Sequence, residues 1–241
     1  MTVPEETRQS VQHNNTAMKR AVIFDFDGVI LESADIKTKA FERLFAQYPD
    51  KVEEIRAYHI HNAGISRYVK FDYIYAHILK KPLEAREKEE LGKNFSDMVL
   101  DEILKTPFVA GALELLEGRG NDFQFFIASG TPEEELHSIL RLRSIGHLFC
   151  EAHGSPKKKR DIILDVLQRH ALHKEEVVFV GDAESDLIAS EEAGVDFIAR
   201  ITPANLEQMQ NCRWKMPDLM TLETLLDEIR QSAINERRGM R

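Results

Sequence analysis

Short apolar runs, each closing on a small or acidic residue, alternate along this chain with stretches whose apolar positions recur every three or four residues. Ala21–Phe24, Phe123–Ala128, Val177–Val180 and Val195–Ala199 are the clearest runs. Such runs are what strands buried on both faces of a parallel sheet look like. A further short strand is expected over His147–Ala152. The intervening stretches read as helices: Ala112–Glu117, stopped by Gly118 and Gly120; one behind Thr131-Pro132; Lys159–His170; Ser185–Ala193, stopped by Gly194; and Thr221–Ile229. Thr131 is expected to cap its helix with a hydroxyl, Pro132 to occupy the first turn, and Glu133, Glu134 and Glu135 to suit the positive helix end. Strands alternating with helices predict an α/β fold built on a doubly wound, Rossmann-like parallel sheet.

One region breaks the alternation. From Ile36, through Ala40, Phe41, Leu44 and Phe45, to about Lys105 the spacing stays helical and no strand pattern occurs. Breaks fall at Tyr48-Pro49-Asp50, near Asn62-Ala63-Gly64 and at Lys80-Lys81-Pro82. The expected organisation is therefore a core of residues 18–31 and 106–241, a helical insertion over 32–105, and a flexible tail over 1–17. That tail is polar and lacks the apolar stretch of a signal peptide.

The strand tips carry the candidate chemistry. In open α/β sheets ligands bind beyond the carboxyl ends of the strands. There the chain reads Asp25-Phe26-Asp27-Gly28, Ser129-Gly130-Thr131 and Gly181-Asp182, with Asp186 one helical turn further on. Two close carboxylates in an apolar setting need a cation or a shared proton to offset their repulsion and desolvation. Gly28 lets the chain turn away without a Cβ in the path of whatever approaches them. Ser129, Gly130 and Thr131 offer donors to an anion at a strand-to-helix junction. Each of these motifs alone could also be an ordinary turn or helix start; their convergence on one crevice is the signal.

Charge and composition narrow the picture. A formal net charge of -9 argues against nucleic acid as partner, which demands a basic face. No apolar run approaches the ~18 residues of a membrane span. The two cysteines, Cys150 and Cys212, cannot make a disulfide framework and suggest reduced thiols in the cytoplasm. His59 and His61, two apart, do not share a helical face and are read as loop or core residues.

The four motifs, in this order between Lys19 and Arg200, resemble those of the haloacid dehalogenase-like hydrolase superfamily, in its phosphoglycolate phosphatase and β-phosphoglucomutase-like branch. The resemblance implies that the helical insertion is a cap of the C1 type closing over the site. It implies Mg²⁺ bound by Asp25, Asp182 and the main-chain carbonyl of Asp27, with Asp186 holding a metal-bound water or pairing with a lysine. Asp25 would be the nucleophile, Asp27 the acid and base, and Ser129, with the amides of Gly130 and Thr131, a phosphate ligand. In relatives whose third motif reads Gly-x-Pro-x-x-Lys the lysine falls on Lys159, with Lys157 and Lys158 as alternatives. Gly64-Ile65-Ser66-Arg67 resembles a substrate-specificity loop and makes Arg67 the expected specificity residue. The implied activity is Mg²⁺-dependent hydrolysis of a small phosphorylated metabolite, such as phosphoglycolate or a sugar phosphate. A phosphosugar mutase is the alternative, although Lys37 stands where those mutases carry a His, and a noncatalytic binding protein is a third reading. Asp27 disfavours the dehalogenase and phosphonatase branches, which replace it.

Overall fold

The computed structural model describes residues 19–119 and 122–239; the expected N-terminal tail and the helix stop at Gly120 lie outside them. In chain order the elements are β1 (Ala21–Phe24), α1 (Ala34–Leu44), α2 (Val52–His61), α3 (Arg67–Tyr73) running into a π-helical turn at Ile74–Leu79, α4 (Ala85–Lys105), α5 (Ala112–Arg119), β2 (Gln124–Pro132), α6 (Glu133–Leu142), β3 (Glu151–Ser155), α7 (Lys159–Arg169), β4 (Val177–Gly181), α8 (Glu184–Ala193), β5 (Asp196–Arg200), α9 (Leu206–Met209), β6 (Trp214–Met216) and α10 (Leu222–Gly239). The six strands form one sheet in the order β3-β2-β1-β4-β5-β6, and every pairing is parallel. The expected doubly wound α/β sheet is thus the observed one.

Strand alternation divides the core. Val22 and Phe24 of β1 point to the face that also holds Phe125, Ile127, Val178 and Val180, covered by Leu115, Leu136, Leu222 and Leu226. Ala21 and Ile23 point to the other face, with Phe126, Val177 and Phe179, under Ile162, Ile163 and Val166 of α7 and Ala189 of α8. Because both faces are covered, β1 and β4 carry no polar residue. The strand order reverses between β1 and β4, which pair Phe24 with Val180. A crevice opens where neighbouring connections leave for opposite faces, so ligands are expected at this switch point.

The helices between β1 and β2 pack on their own aromatic centre. Phe41 of α1 lies 5.8 Å from Phe71, 5.0 Å from Phe95 and 4.1 Å from His59, centroid to centroid. His59 is therefore a buried helical residue of this cluster, while His61 is exposed.

Two local expectations are corrected, and two short elements were not expected. The stretch before β3 forms a 3₁₀ turn at Gly146–Leu148, and the strand itself is Glu151–Ser155; as an edge strand it lacks the apolar continuity of its neighbours. The three-residue β6 and the four-residue α9 are too short to leave a periodic signal. Thr131 and Pro132 end β2 instead of opening α6, and the N-cap, Pro132, has no side-chain hydrogen bond. The Thr131 hydroxyl has another partner, described next.

Candidate active site

Asp25 and Asp182 leave the sheet side by side, because β1 and β4 are in register up to Phe24 and Val180. The Asp25 amide donates to Val180 O at 2.9 Å. Gly28 has a φ of +77°, and a Cβ there would stand 2.1 Å from Asp182 Oδ2. Only glycine both adopts that turn and leaves room for the second acid. Asn205 holds Asp182 from behind, its Nδ2 donating to Asp182 O at 2.7 Å. Arg200 braces the loop of the first motif, donating to Gly28 O at 2.8 Å and to both oxygens of Glu32 at 2.6 and 2.8 Å.

Lys159 opens α7 and is buried between two acids. Its Nζ lies 2.5 Å from Asp186 Oδ1 and 2.9 Å from Asp25 Oδ1. Of the three neighbouring lysines it alone reaches the acids: Lys158 is exposed and Lys157 pairs with Asp165. Asp186 also accepts from the Ala183 amide at 3.2 Å. Burial opposes the Lys159 ammonium, yet Asp186 and Asp25 together hold its pKa above the ordinary lysine value. Burial, opposed by Lys159 and aided by the charges of Asp186 and Asp27, pushes Asp25 up to about 7. Asp182 is likewise raised by burial and by Asp25 and Asp186.

Oxygens of Asp25, Asp182 and Asp186 all lie within 4.8 Å of one another. Lys159 is close to Asp25 Oδ1 but poorly aimed at it, so that oxygen is buried with no hydrogen-bond partner. An all-oxygen donor set with an unpartnered buried carboxylate oxygen, in which Asp25 and Asp182 are held back from ionising, fits a hard divalent cation such as Mg²⁺.

Asp27 is held differently. Ser33 Oγ donates to its Oδ1 at 2.6 Å, Thr131 Oγ1 to its Oδ2 at 2.8 Å, and Lys37 Nζ contacts Oδ2 while also donating to Thr131 Oγ1 at 2.6 Å. Burial works to raise the Asp27 carboxyl, but Lys37 and the hydroxyls outweigh it and hold it below the ordinary value. Ser129 is buried, and its Oγ accepts the Thr131 amide at 3.1 Å. That amide is thereby spent inside the loop, while the Ser129 hydroxyl keeps its own proton to donate.

The helices between β1 and β2 descend onto these groups. Ser185 Oγ donates to Ala63 O at 2.8 Å. Gly64, at φ +77°, lies so close that a Cβ there would meet Ser185 Oγ at 2.5 Å and Lys159 Nζ at 3.0 Å. A Cβ on Gly130 would stand 2.4 Å from Gly64 O. Arg67 is 4% exposed, donates to Glu135 at 2.6 Å and to Ser96 at 2.8 Å, and stacks 4.4 Å over Phe95. It bridges α3 to α6 and so already has a carboxylate partner. Between the two halves lies a cavity of about 750 Å³ lined by Asp25, Asp27, Arg67, Gly130, Thr131 and Asp182 among others; Ser129, Lys159 and Asp186 are buried beside them. Lys37, Lys70 and Arg200 also face this cavity and were not singled out as site residues from sequence. Arg200, a charge directly after an apolar strand, was the most detectable.

Comparison with known proteins gives the family. Residues 22–200 match the family model described as haloacid dehalogenase-like hydrolase. The phosphoglycolate phosphatase of Aliivibrio fischeri is 25% identical over 185 residues, covering 73% of this chain and 81% of that protein. The phosphorylated carbohydrates phosphatase of Thermotoga maritima is 26% identical over 187 residues, covering 74% and 83%. The crystal structure of CbbY from Rhodobacter sphaeroides in complex with phosphate shares the fold, with a TM-score of 0.70 at 16% identity over 87% of this chain and all of that one. Among the described residues no helix is long and apolar enough to cross a membrane.

Proposed function

The chain belongs to the haloacid dehalogenase-like hydrolase family and is one of its phosphoric monoester hydrolases, and on that footing we propose that it hydrolyses a small phosphorylated metabolite through an aspartyl phosphate on Asp25, with Mg²⁺ as cofactor. The observation that carries this reading is the meeting of Asp25, Asp182 and Asp186 oxygens within 4.8 Å beside Lys159. Residues 32–105 act as the cap and residues 18–31 with 106–241 as the core. The two free thiols, Cys150 and Cys212, fit a reducing compartment, and we assign the enzyme to the cytoplasm.

Asp25 Oδ attacks phosphorus; an Asp25–phosphoryl bond forms as the bond to the leaving oxygen breaks. Asp27 gives that oxygen a proton, then takes one from the water that attacks the aspartyl phosphate, which releases inorganic phosphate and restores both acids. Lys37, by favouring ionised Asp27, stabilises the form it holds between the two transfers and works against the protonated form that the first one needs. Lys159 balances charge at Asp25 and Asp186, and Ser129 and Gly130 present donors where phosphoryl oxygens gather. Asp25, Asp182 and the Asp27 carbonyl, backed by Asp186, would hold Mg²⁺. When bound, the cation neutralises phosphoryl charge and lets Asp25 ionise. The mutase reading is not favoured, because Lys37 stands at the position of the mutase histidine and is engaged with Asp27 and Thr131.

A panel of small phosphomonoesters tests the reading by release of inorganic phosphate. Release in Mg²⁺ from at least one member is expected, falling about a hundredfold or more in EDTA and returning with added Mg²⁺. No release from any member would leave a binding protein on the same fold.

Cap closure has its own test. Gly130→Ala places a methyl against the Gly64 carbonyl, a backbone atom with little freedom to give. Displacing the cap loop by even an ångström is expected to lower kcat/KM by about tenfold to a hundredfold with the protein still folded. Unchanged kinetics would show that the loop contact is irrelevant to turnover.

A further inference from the structure

Arg200 closes β5 one residue beyond Ala199, which pairs with Gly181, so it leaves the sheet beside Asp182 as Asp182 leaves it beside Asp25. It is 7% exposed and lines the same cavity. Among the described residues its one carboxylate partner within salt-bridge distance is Glu32. A buried guanidinium thus stands at the strand tips without pairing with any of the three acids gathered there.

Its hydrogen bonds go elsewhere. Nε donates to Pro217 O at 3.1 Å, Nη1 to Gly28 O and to Glu32 Oε2, each at 2.8 Å, and Nη2 to Glu32 Oε1 at 2.6 Å. Glu32 is fixed independently through its main chain, its amide donating to Pro107 O at 3.1 Å and its carbonyl accepting from Thr106 Oγ1 at 3.2 Å. The main-chain oxygen of Arg200 accepts from Asn205 Nδ2 at 2.9 Å, and the same Nδ2 donates to Asp182 O at 2.7 Å. One frame therefore runs from Asp182 through Asn205 and Arg200 to the Gly28 turn. The Gly28 amide is pinned as well, donating to Leu31 O at 2.7 Å. With both its N–H and its C=O held, the peptide that joins Asp27 to Gly28, and with it the Asp27 carbonyl, has a set direction.

On the Mg²⁺ reading above, we propose that Arg200 is a positioning residue for the cation: by fixing the Gly28 turn against Asp182 it sets the spacing between the Asp27 carbonyl and the Asp182 carboxylate, without touching metal or substrate. Charge and position make opposite forecasts. A guanidinium lining the cavity repels a divalent cation, so on charge alone its removal tightens Mg²⁺ binding. As a positioning residue, its removal weakens it. Lysine keeps the charge but lacks the planar fork that engages Gly28 and Glu32 together.

The test titrates Mg²⁺ alone into metal-free wild type, Arg200→Gln, Arg200→Lys and Glu32→Ala, read by calorimetry and by the Mg²⁺-dependent shift in melting temperature. Kd is expected to rise about tenfold to a hundredfold in Arg200→Gln, the scale on which partners that orient metal ligands act, and almost as much in Arg200→Lys. Glu32→Ala, at an exposed position, keeps the Gly28 contact and should move Kd the same way by less; it carries the test alone if the Arg200 variants do not fold. Phosphate release should show the same split, the Mg²⁺ concentration for half-maximal rate rising while KM for the ester changes little. Melting temperatures lowered equally with and without Mg²⁺, tighter binding in Arg200→Gln, or full rescue by Arg200→Lys would each overturn the proposal while leaving the Mg²⁺ reading intact. Wild type that binds no Mg²⁺ would sink that reading and the proposal with it.

Discussion

Asp25→Asn is expected to abolish Mg²⁺-dependent phosphate release from a generic aryl phosphate, by about 10⁴-fold or more, the scale on which removing a covalent nucleophile acts. The same variant should be more stable than wild type when metal is removed. Asp25 is raised from 3.8 to about 7, chiefly by burial. Between those values the folded protein keeps a proton that the unfolded chain has released, so its stability falls as pH rises from about 4 to about 7 and then levels off. Asn carries no such charge. The melting temperature of Asp25→Asn should therefore pull ahead of wild type across that window in EDTA, by the equivalent of a few kcal/mol, roughly. Added Mg²⁺ should close the gap. Retained activity within tenfold would remove Asp25 as nucleophile; equal melting temperatures from pH 4 to 8 would mean that the acid is not strained.

Lys159→Met acts in the opposite sense on stability. It removes the ammonium lying 2.5 Å from Asp186 and 2.9 Å from Asp25, leaving two buried carboxylates without their cation. Breaking a buried pair in this way costs about 3–5 kcal/mol, which in a domain of this size lowers Tm by roughly 6–20 °C. Phosphate release should fall by about 10³-fold with the loss of charge balance at the phosphoryl group. Lys158→Met, at an exposed neighbouring position, should change stability by no more than about 0.5 kcal/mol. Melts and kinetics on this pair decide which lysine of the run serves the site; a silent Lys159→Met would overturn the assignment.

What could be read from the sequence was what long-range order demands of local pattern. Buried strands such as β1 and β4 must be apolar throughout, and the acids at their tips had to stand where connections part, so Asp25 and Asp182 could be paired across 157 residues from pattern alone. The edges of the sheet were harder. β3 reads Glu-Ala-His-Gly-Ser and β6 only Trp-Lys-Met, because an edge strand has one neighbour and less need of apolar side chains. Side-chain partnerships were hardest of all. Thr131 looks like a helix cap in one dimension, yet its hydroxyl goes to Asp27, 104 residues away. Arg67 looked free to meet a substrate, and only packing reveals that Glu135 of α6 already engages it.

The main-chain contact between Gly64 and Gly130 bears on how fast this enzyme can work. With no side chain separating the two stretches of backbone, there is no aperture at that point for a molecule to pass, and widening the mouth of the cavity there requires the two halves to part. In many enzymes such an opening, and not bond breaking, limits turnover. If that parting limits the cycle, turnover should respond to solvent viscosity and show a pre-steady-state burst of the leaving alcohol.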